Sequence, residues 1–202
     1  MMATPVKTII AFIVGLLCFS SAYCLDVLGK IQFKDSTWEQ VTFIIPPTFN
    51  DRAVYYKIQE SIRYYEVVKS KKRKRILDPE DALELQFKYL GKKVRMLTVR
   101  DKFIKLEEEG PCRLFAYHEY IERPLFLNGK RVPRLHRVTL ITYFIQFKGK
   151  RRKEVTYEPS EFVREMKPLF QHCPRLAKLI GTTGFQIEDI KKIVQYYNRE
   201  CQ

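Results

Sequence analysis

Histidine is scarce in this chain, with only His118, His136 and His172 among 202 residues, so general-base catalysis has few candidates. The five cysteines never form a close C-x-x-C pair, which removes the spacing a structural zinc site needs. The eight glycines build no phosphate-cradling loop, and no G-x-S-x-G elbow is present. No local pattern pairs two carboxylates, and the aromatic RNP arrangement of an RNA-binding sheet is missing. The familiar signatures of nucleotide-binding, serine-hydrolase, metalloenzyme and sequence-specific nucleic-acid proteins are therefore excluded, and neither a cofactor nor a metal is expected. The segment His118-Glu119-Tyr120-Ile121-Glu122 shares the start of a zincin motif. It puts Glu122 where the second histidine belongs, and it reads as a strand, which would send alternate side chains to opposite faces.

Long apolar runs are also absent, with one exception. Lys7 is followed by an uncharged, oily stretch from Thr8 to Phe19 and then by Ser20, Ser21 and Ala22. A short positive start, an apolar centre and small residues at the end are the layout of a cleaved export signal. The run falls short of the roughly 20 residues that a permanent membrane helix requires. Residues 1–24 are accordingly expected to be a signal peptide, with cleavage after Ala22 or Cys24 and a retained anchor as the alternative. Lipidation of Cys24 would need a small residue before it, and Tyr23 stands there. The expected location is extracytoplasmic: periplasm, outer membrane or secreted.

What is abundant is positive charge and aromatic surface. Lys and Arg number 37 against 23 Asp and Glu, and removal of residues 1–24 leaves a net charge of about +13. Such a field attracts anionic partners, and it also keeps an exported protein soluble. The composition is 46% hydrophobic and 30% charged, that of a globular chain, and its 12 Tyr and 14 Phe favour pleated sheet.

Export changes the meaning of cysteine, because disulfides persist outside the cytoplasm. Cys112, Cys173 and Cys201 remain after processing, with Cys24 depending on the cleavage site. Cys173 and Cys201 bracket the last helical segment and are the expected disulfide; otherwise each is a small buried hydrophobe. A free nucleophilic Cys112 is disfavoured in such a compartment.

Along the chain, residues 25–158 read as a β-rich body. Strands are expected around Lys30–Lys34, over Val41–Ile45 up to the stop at Pro46-Pro47, and twice within Val54–Val68. Leu83–Tyr89 and Val94–Val99 read as a hairpin turned at Gly91, and Arg113–Ile121 as a further strand. After the strong turn signal Asn128-Gly129 comes Arg137–Phe147, apolar on both faces and so expected mid-sheet with cover on each side. Residues 159–202 change to helical spacing. Phe162, Met166 and Phe170 mark one helix, started by Pro159 and ended or kinked by Pro168. Pro174 opens a second, closed by Gly181, and Ile187 to Tyr197 form a third. The expected fold is one compact α+β domain. Its body is a mostly antiparallel sheet or partly closed barrel of about 8 strands, followed by three C-terminal helices packed on it.

Two basic runs are the candidate ligand-binding residues. Lys69, Lys71, Lys72, Arg73, Lys74 and Arg75 form one, expected as a loop between strands. Lys150, Arg151 and Arg152, within Lys148–Lys153, form the other, at a hairpin turn. If both turns share one end of the sheet they make a single positive rim. Export removes the nuclear reading of such runs.

The succession Tyr143-Phe144-Ile145, Phe162, Met166, Leu169-Phe170, Cys173-Pro174, Leu176, Ile180, Asp189-Ile190, Ile193-Val194 and Tyr197-Asn198 resembles a family of exported proteins from Bacteroidota-type bacteria. Leu77-Asp78-Pro79-Glu80-Asp81-Ala82 before Phe87 is similar to a second element of that family, and the resemblance spans about Gly29 to Asn198. It implies a Gram-negative envelope or secreted location, and no activity or catalytic residues come with it. The expected function is a non-enzymatic envelope or secreted protein that binds an anionic surface polymer or a membrane partner. Its alternatives are a hydrolase acting on envelope polymer and an accessory factor of an outer-membrane or secretion machine. Basic loop residues would make the contact.

Overall fold

A computed structural model describes residues 24–47, 51–68, 70–127 and 130–201. The expected export signal, apart from Cys24, lies outside these residues, as do Lys69 and the Asn128-Gly129 turn. The strands are β1 (Leu25–Phe33), β2 (Trp38–Ile45), β3 (Ile62–Val68), β4 (Lys71–Leu77), β5 (Ala82–Tyr89), β6 (Lys92–Val99), β7 (Lys102–Glu108), β8 (Cys112–Leu127), β9 (Lys130–Phe147) and β10 (Lys153–Glu154). The α-helices are α1 (Asp51–Gln59), α2 (Pro159–Leu169), α3 (Pro174–Leu179) and α4 (Ile190–Glu200).

The fold is α+β. Ten strands form one antiparallel sheet in the order β10-β9-β8-β7-β6-β5-β1-β2-β3-β4. Two meanders, β1 to β4 and β5 to β10, are joined where β1 pairs β5, for example Ile31 opposite Leu85. The sheet is open, with ten strands rather than about eight, and a barrel does not form. Its two outermost strands are a cationic strand and a two-residue strand, which offer no matching ladder to close on.

One face carries the helices. On it, Val27, Ile31, Phe43, Leu85, Phe87, Met96 and Phe103 pack with Val54, Tyr55 and Ile58 of α1. Val54–Val68 therefore does not hold two strands. Its first part is helical because Val54 with Ile58, and Tyr55 with Gln59, fall four apart and bury one stripe. Aromatic and β-branched content marks a strand only weakly when tertiary burial favours a helix. Position 29 on this face is glycine because a Cβ there would run into the Gln86 carbonyl and the Phe43 ring.

The C-terminal helices cover the same face further along. Phe162, Met166, Phe170, Leu176, Ile190, Ile193 and Val194 pack with Cys112, Leu114 and Ile145. Pro159 opens α2 with Glu158 capping the Glu161 N–H at 2.7 Å, and Pro168 falls in its last turn. Gly181, at φ +92°, ends α3 as expected. Cys173 and Cys201 stand at disulfide distance, Cα atoms 5.4 Å apart, tying the end of α4 to the start of α3.

The hairpin β5–β6 turns through Leu90 and Gly91, both at positive φ. The β8–β9 hairpin runs further than its apolar pattern, through Pro124 to Leu127 and from Lys130 through Pro133. A register shift beside Pro124 absorbs the missing N–H. β9 is the longest strand but not central: it lies next to the edge, with only Lys153 and Glu154 beyond it.

Candidate functional site

The first basic run is not a loop. Residues 71–77 pair with all of β3, from Ile62 opposite Leu77 to Val68 opposite Lys71, and form the free edge of the sheet. An edge strand is wetted on both faces, so unbroken cationic sequence can occupy it without burying a charge. Lys71, Lys72, Arg73, Lys74 and Arg75 are all exposed. Arg75 pairs with Glu66 of β3 at 3.0 Å, and the Lys72 ammonium stands 5.7 Å over the Tyr65 ring. Among the described residues, Lys71, Arg73 and Lys74 have no carboxylate in ion-pair reach.

The second basic run occupies the turn between β9 and β10, where Gly149 has φ +73° and the Lys150 N–H donates to the Phe147 carbonyl at 3.0 Å. That turn belongs to the opposite edge of the sheet from β4. The two runs therefore do not form one positive rim, because each strand pairing between them adds to the width of an open sheet.

Lys150 is exposed, whereas Arg152 folds back over the outer face, its guanidinium carbon 4.7 Å from the centre of the Phe115 ring. The Arg152 Nε–H is enclosed and has no acceptor among the described residues. Burial, then the neighbouring Arg113, hold its guanidinium below the usual arginine value. Arginine keeps its proton in proteins, so this is a half-buried cation.

Arg151 and Arg152 overhang an outer-face pocket of about 890 Å³. Its floor is Ile104, Phe115 and Phe144, brought together by the β7–β8 and β8–β9 registers, with Val99 and Tyr117 half-buried beside them. Tyr117 is pushed up by burial, then by Glu119. The β6–β7 turn supplies Arg100, Asp101 and Lys102, the last bound to Glu60 at 2.8 Å. That hydrogen bond holds Lys102 above its ordinary value.

The pocket was not marked by any motif. Its one sequence signal is the apolar character of β9 on both faces, read above as a demand for cover on each side. Helices α2 to α4 cover one face around Ile145, while Phe144 on the other meets the pocket. Among the described residues no histidine lines it. His118 lies on the helix-bearing face, 2% exposed, with its ring 5.1 Å from Tyr55. The side chain of His136 lies outside the described residues. Among the described residues, no group of three or more His, Cys, Asp or Glu side chains is placed to hold a metal ion, and no helix is long and apolar enough to cross a membrane.

A scan against protein-family models finds no match, and searches of curated proteins and of solved structures find none.

Proposed function

We propose that this chain is an exported, non-enzymatic binding module that holds an anionic polymer of the cell envelope along strand β4. One observation carries the reading: five successive cations, all exposed, on an open sheet edge where, among the described residues, Glu66 is the one carboxylate that answers them. Each face of the strand presents its cations about 6.6 Å apart, Lys71, Arg73 and Arg75 on one and Lys72 and Lys74 on the other, and such a repeating spacing suits a repeating polyanion better than a compact ligand. The signal-like N-terminus, the Cys173–Cys201 pair at disulfide distance and the resemblance to exported envelope proteins support the extracytoplasmic setting.

The test is retention of the protein on vesicles containing lipopolysaccharide, compared with zwitterionic phosphatidylcholine vesicles, across a salt series. Retention is expected on the anionic vesicles only and should fall as salt screens the contact. Replacing Lys71, Lys72, Arg73 and Lys74 by Ser, which spares the Arg75–Glu66 pair, should abolish it. Retention that survives those four substitutions overturns the reading.

A further inference from the structure

The β4 edge leaves the opposite end of the sheet unexplained. There the outer face of β7 to β9 exposes a pocket whose floor is Ile104, Phe115 and Phe144. Ile104 and Phe115 are themselves buried, at 7% and 1% exposure, so the wetted apolar surface is that of half-buried Phe144, Val99 and Tyr117, and it costs roughly 25 cal/mol per Å² for as long as it stays wet. Its volume of about 890 Å³ lies within the range of small-molecule sites, about 300–1,000 Å³.

The charges around it are unbalanced. Arg100, Lys102, Arg151 and Arg152 face Asp101 and Glu154. Lys102 is engaged by Glu60 at 2.8 Å and lies 3.9 Å from Asp101, whose side chain is 81% exposed. Arg152 is the distinctive member, being half-buried against Phe115 with no carboxylate within ion-pair reach among the described residues. A cation taken partly out of water and left unpaired is unfavourable until an anion joins it. Here the anion would arrive beside an apolar surface, which a fully polar ligand could not use.

We propose that this pocket binds a small amphiphile with one oxyanion head, the head on the Arg152 guanidinium and the apolar body on Phe144, Val99 and Tyr117. Arginine suits the head because its planar fork meets two oxygens of a carboxylate or phosphate at once. The aromatic and aliphatic floor suits an acyl chain. The site is independent of the β4 edge, so each can fail without the other.

Decanoate and decanol, which share chain length and differ in the charged head, are titrated into the full chain by calorimetry, with inorganic phosphate as a third arm. Decanoate is expected to bind at least about tenfold tighter than decanol and phosphate, the increment of one charge-assisted contact. Arg152→Gln should remove that preference, Arg152→Lys should keep part of it, and Phe144→Ala should weaken decanoate and decanol alike. Thermal unfolding of each variant shows that it is folded, and if Arg152→Gln is not, the wild-type comparison decides alone. The β4 Ser variant should bind decanoate normally, and Arg152→Gln should be retained on lipopolysaccharide vesicles. Equal affinity for decanol and decanoate, or a preference that survives Arg152→Gln, overturns the proposal. Tight phosphate binding overturns the amphiphile and leaves a plain anion site.

Discussion

The side-chain amide of Asn198 on α4 holds both backbone groups of Cys112 on β8: its Oδ1 accepts the Cys112 N–H at 2.9 Å and its Nδ2 donates to the Cys112 carbonyl at 2.8 Å. Six residues along the same strand, Gln59 at the end of α1 does the same to His118, at 2.7 and 2.8 Å. In an antiparallel strand the N–H and C=O of one residue point to the same side, and alternate residues share that side. β7 pairs with β8 only from Leu114 to Ala116. The two amides thus complete the ladder where β7 falls away, and they fasten a helix to each end of that stretch.

Replacing Asn198 by Ala should leave the buried Cys112 N–H and carbonyl unsatisfied and cost about 1–3 kcal/mol of stability in urea unfolding. Hydrogen exchange separates this from general loosening. The Cys112 amide should exchange faster while that of His118, held by Gln59, does not. Equal acceleration at both sites rules out an independent clamp.

Glu84 predicts a pH dependence. It is 6% exposed, with Arg95 Nε at 2.6 Å, Arg95 Nη2 at 3.0 Å and Gln86 Nε2 at 2.6 Å. Burial alone would raise its carboxyl, but these donors outweigh it and hold the group below its ordinary value of 4.5. A depressed carboxyl contributes stability that is fully present above the unfolded value and is lost as pH falls through the folded one. Arg95→Gln should cost about 3 kcal/mol at pH 7 by leaving a buried carboxylate unpaired, and less at acid pH where Glu84 takes a proton. Glu84→Gln with Arg95→Gln should flatten the fall in stability below about pH 5. Denaturant titrations at several pH values check both, and an Arg95→Gln cost that does not shrink with acid contradicts the assignment.

The cysteines should behave as two classes. Reduction of the Cys173–Cys201 link, which spans 28 positions, should lower stability by about 3–4 kcal/mol. Cys112 is buried, and burial pushes its thiol up to about 12, so at pH 8 it stays protonated. A thiol reagent applied to oxidised native protein should therefore label exposed Cys24 in a chain that retains it, and reach Cys112 only after unfolding. Rapid native labelling of Cys112 would refute this.

Much of the architecture was legible residue by residue. Leu83–Tyr89 alternates because one face packs on the core, and Gly91 turns it back, so β5 and β6 follow from local rules. Pro159, Pro174 and Gly181 bound helices by their own backbone limits, and the spacing of Ile187, Ile190, Ile193 and Val194 shows which side of the last segment is buried. Helix α1 was hidden because nine residues rich in Tyr, Val and Ile satisfy a strand pattern as well as a helical one. The basic run over 69–75 hid a strand because edge strands need no apolar alternation.

Local pattern alone dictates the α+β class, the β5–β6 hairpin and the three C-terminal helices, since each rests on contacts or backbone preferences between residues near in the chain. Assembly of the whole sheet sets β1 beside β5, the two basic runs on opposite edges, Cys173 at disulfide distance from Cys201, and Arg152 over Phe115. Those relations join residues far apart in sequence. Their free energy comes from burial and pairing that exist only once the whole sheet is assembled, so no local pattern encodes them.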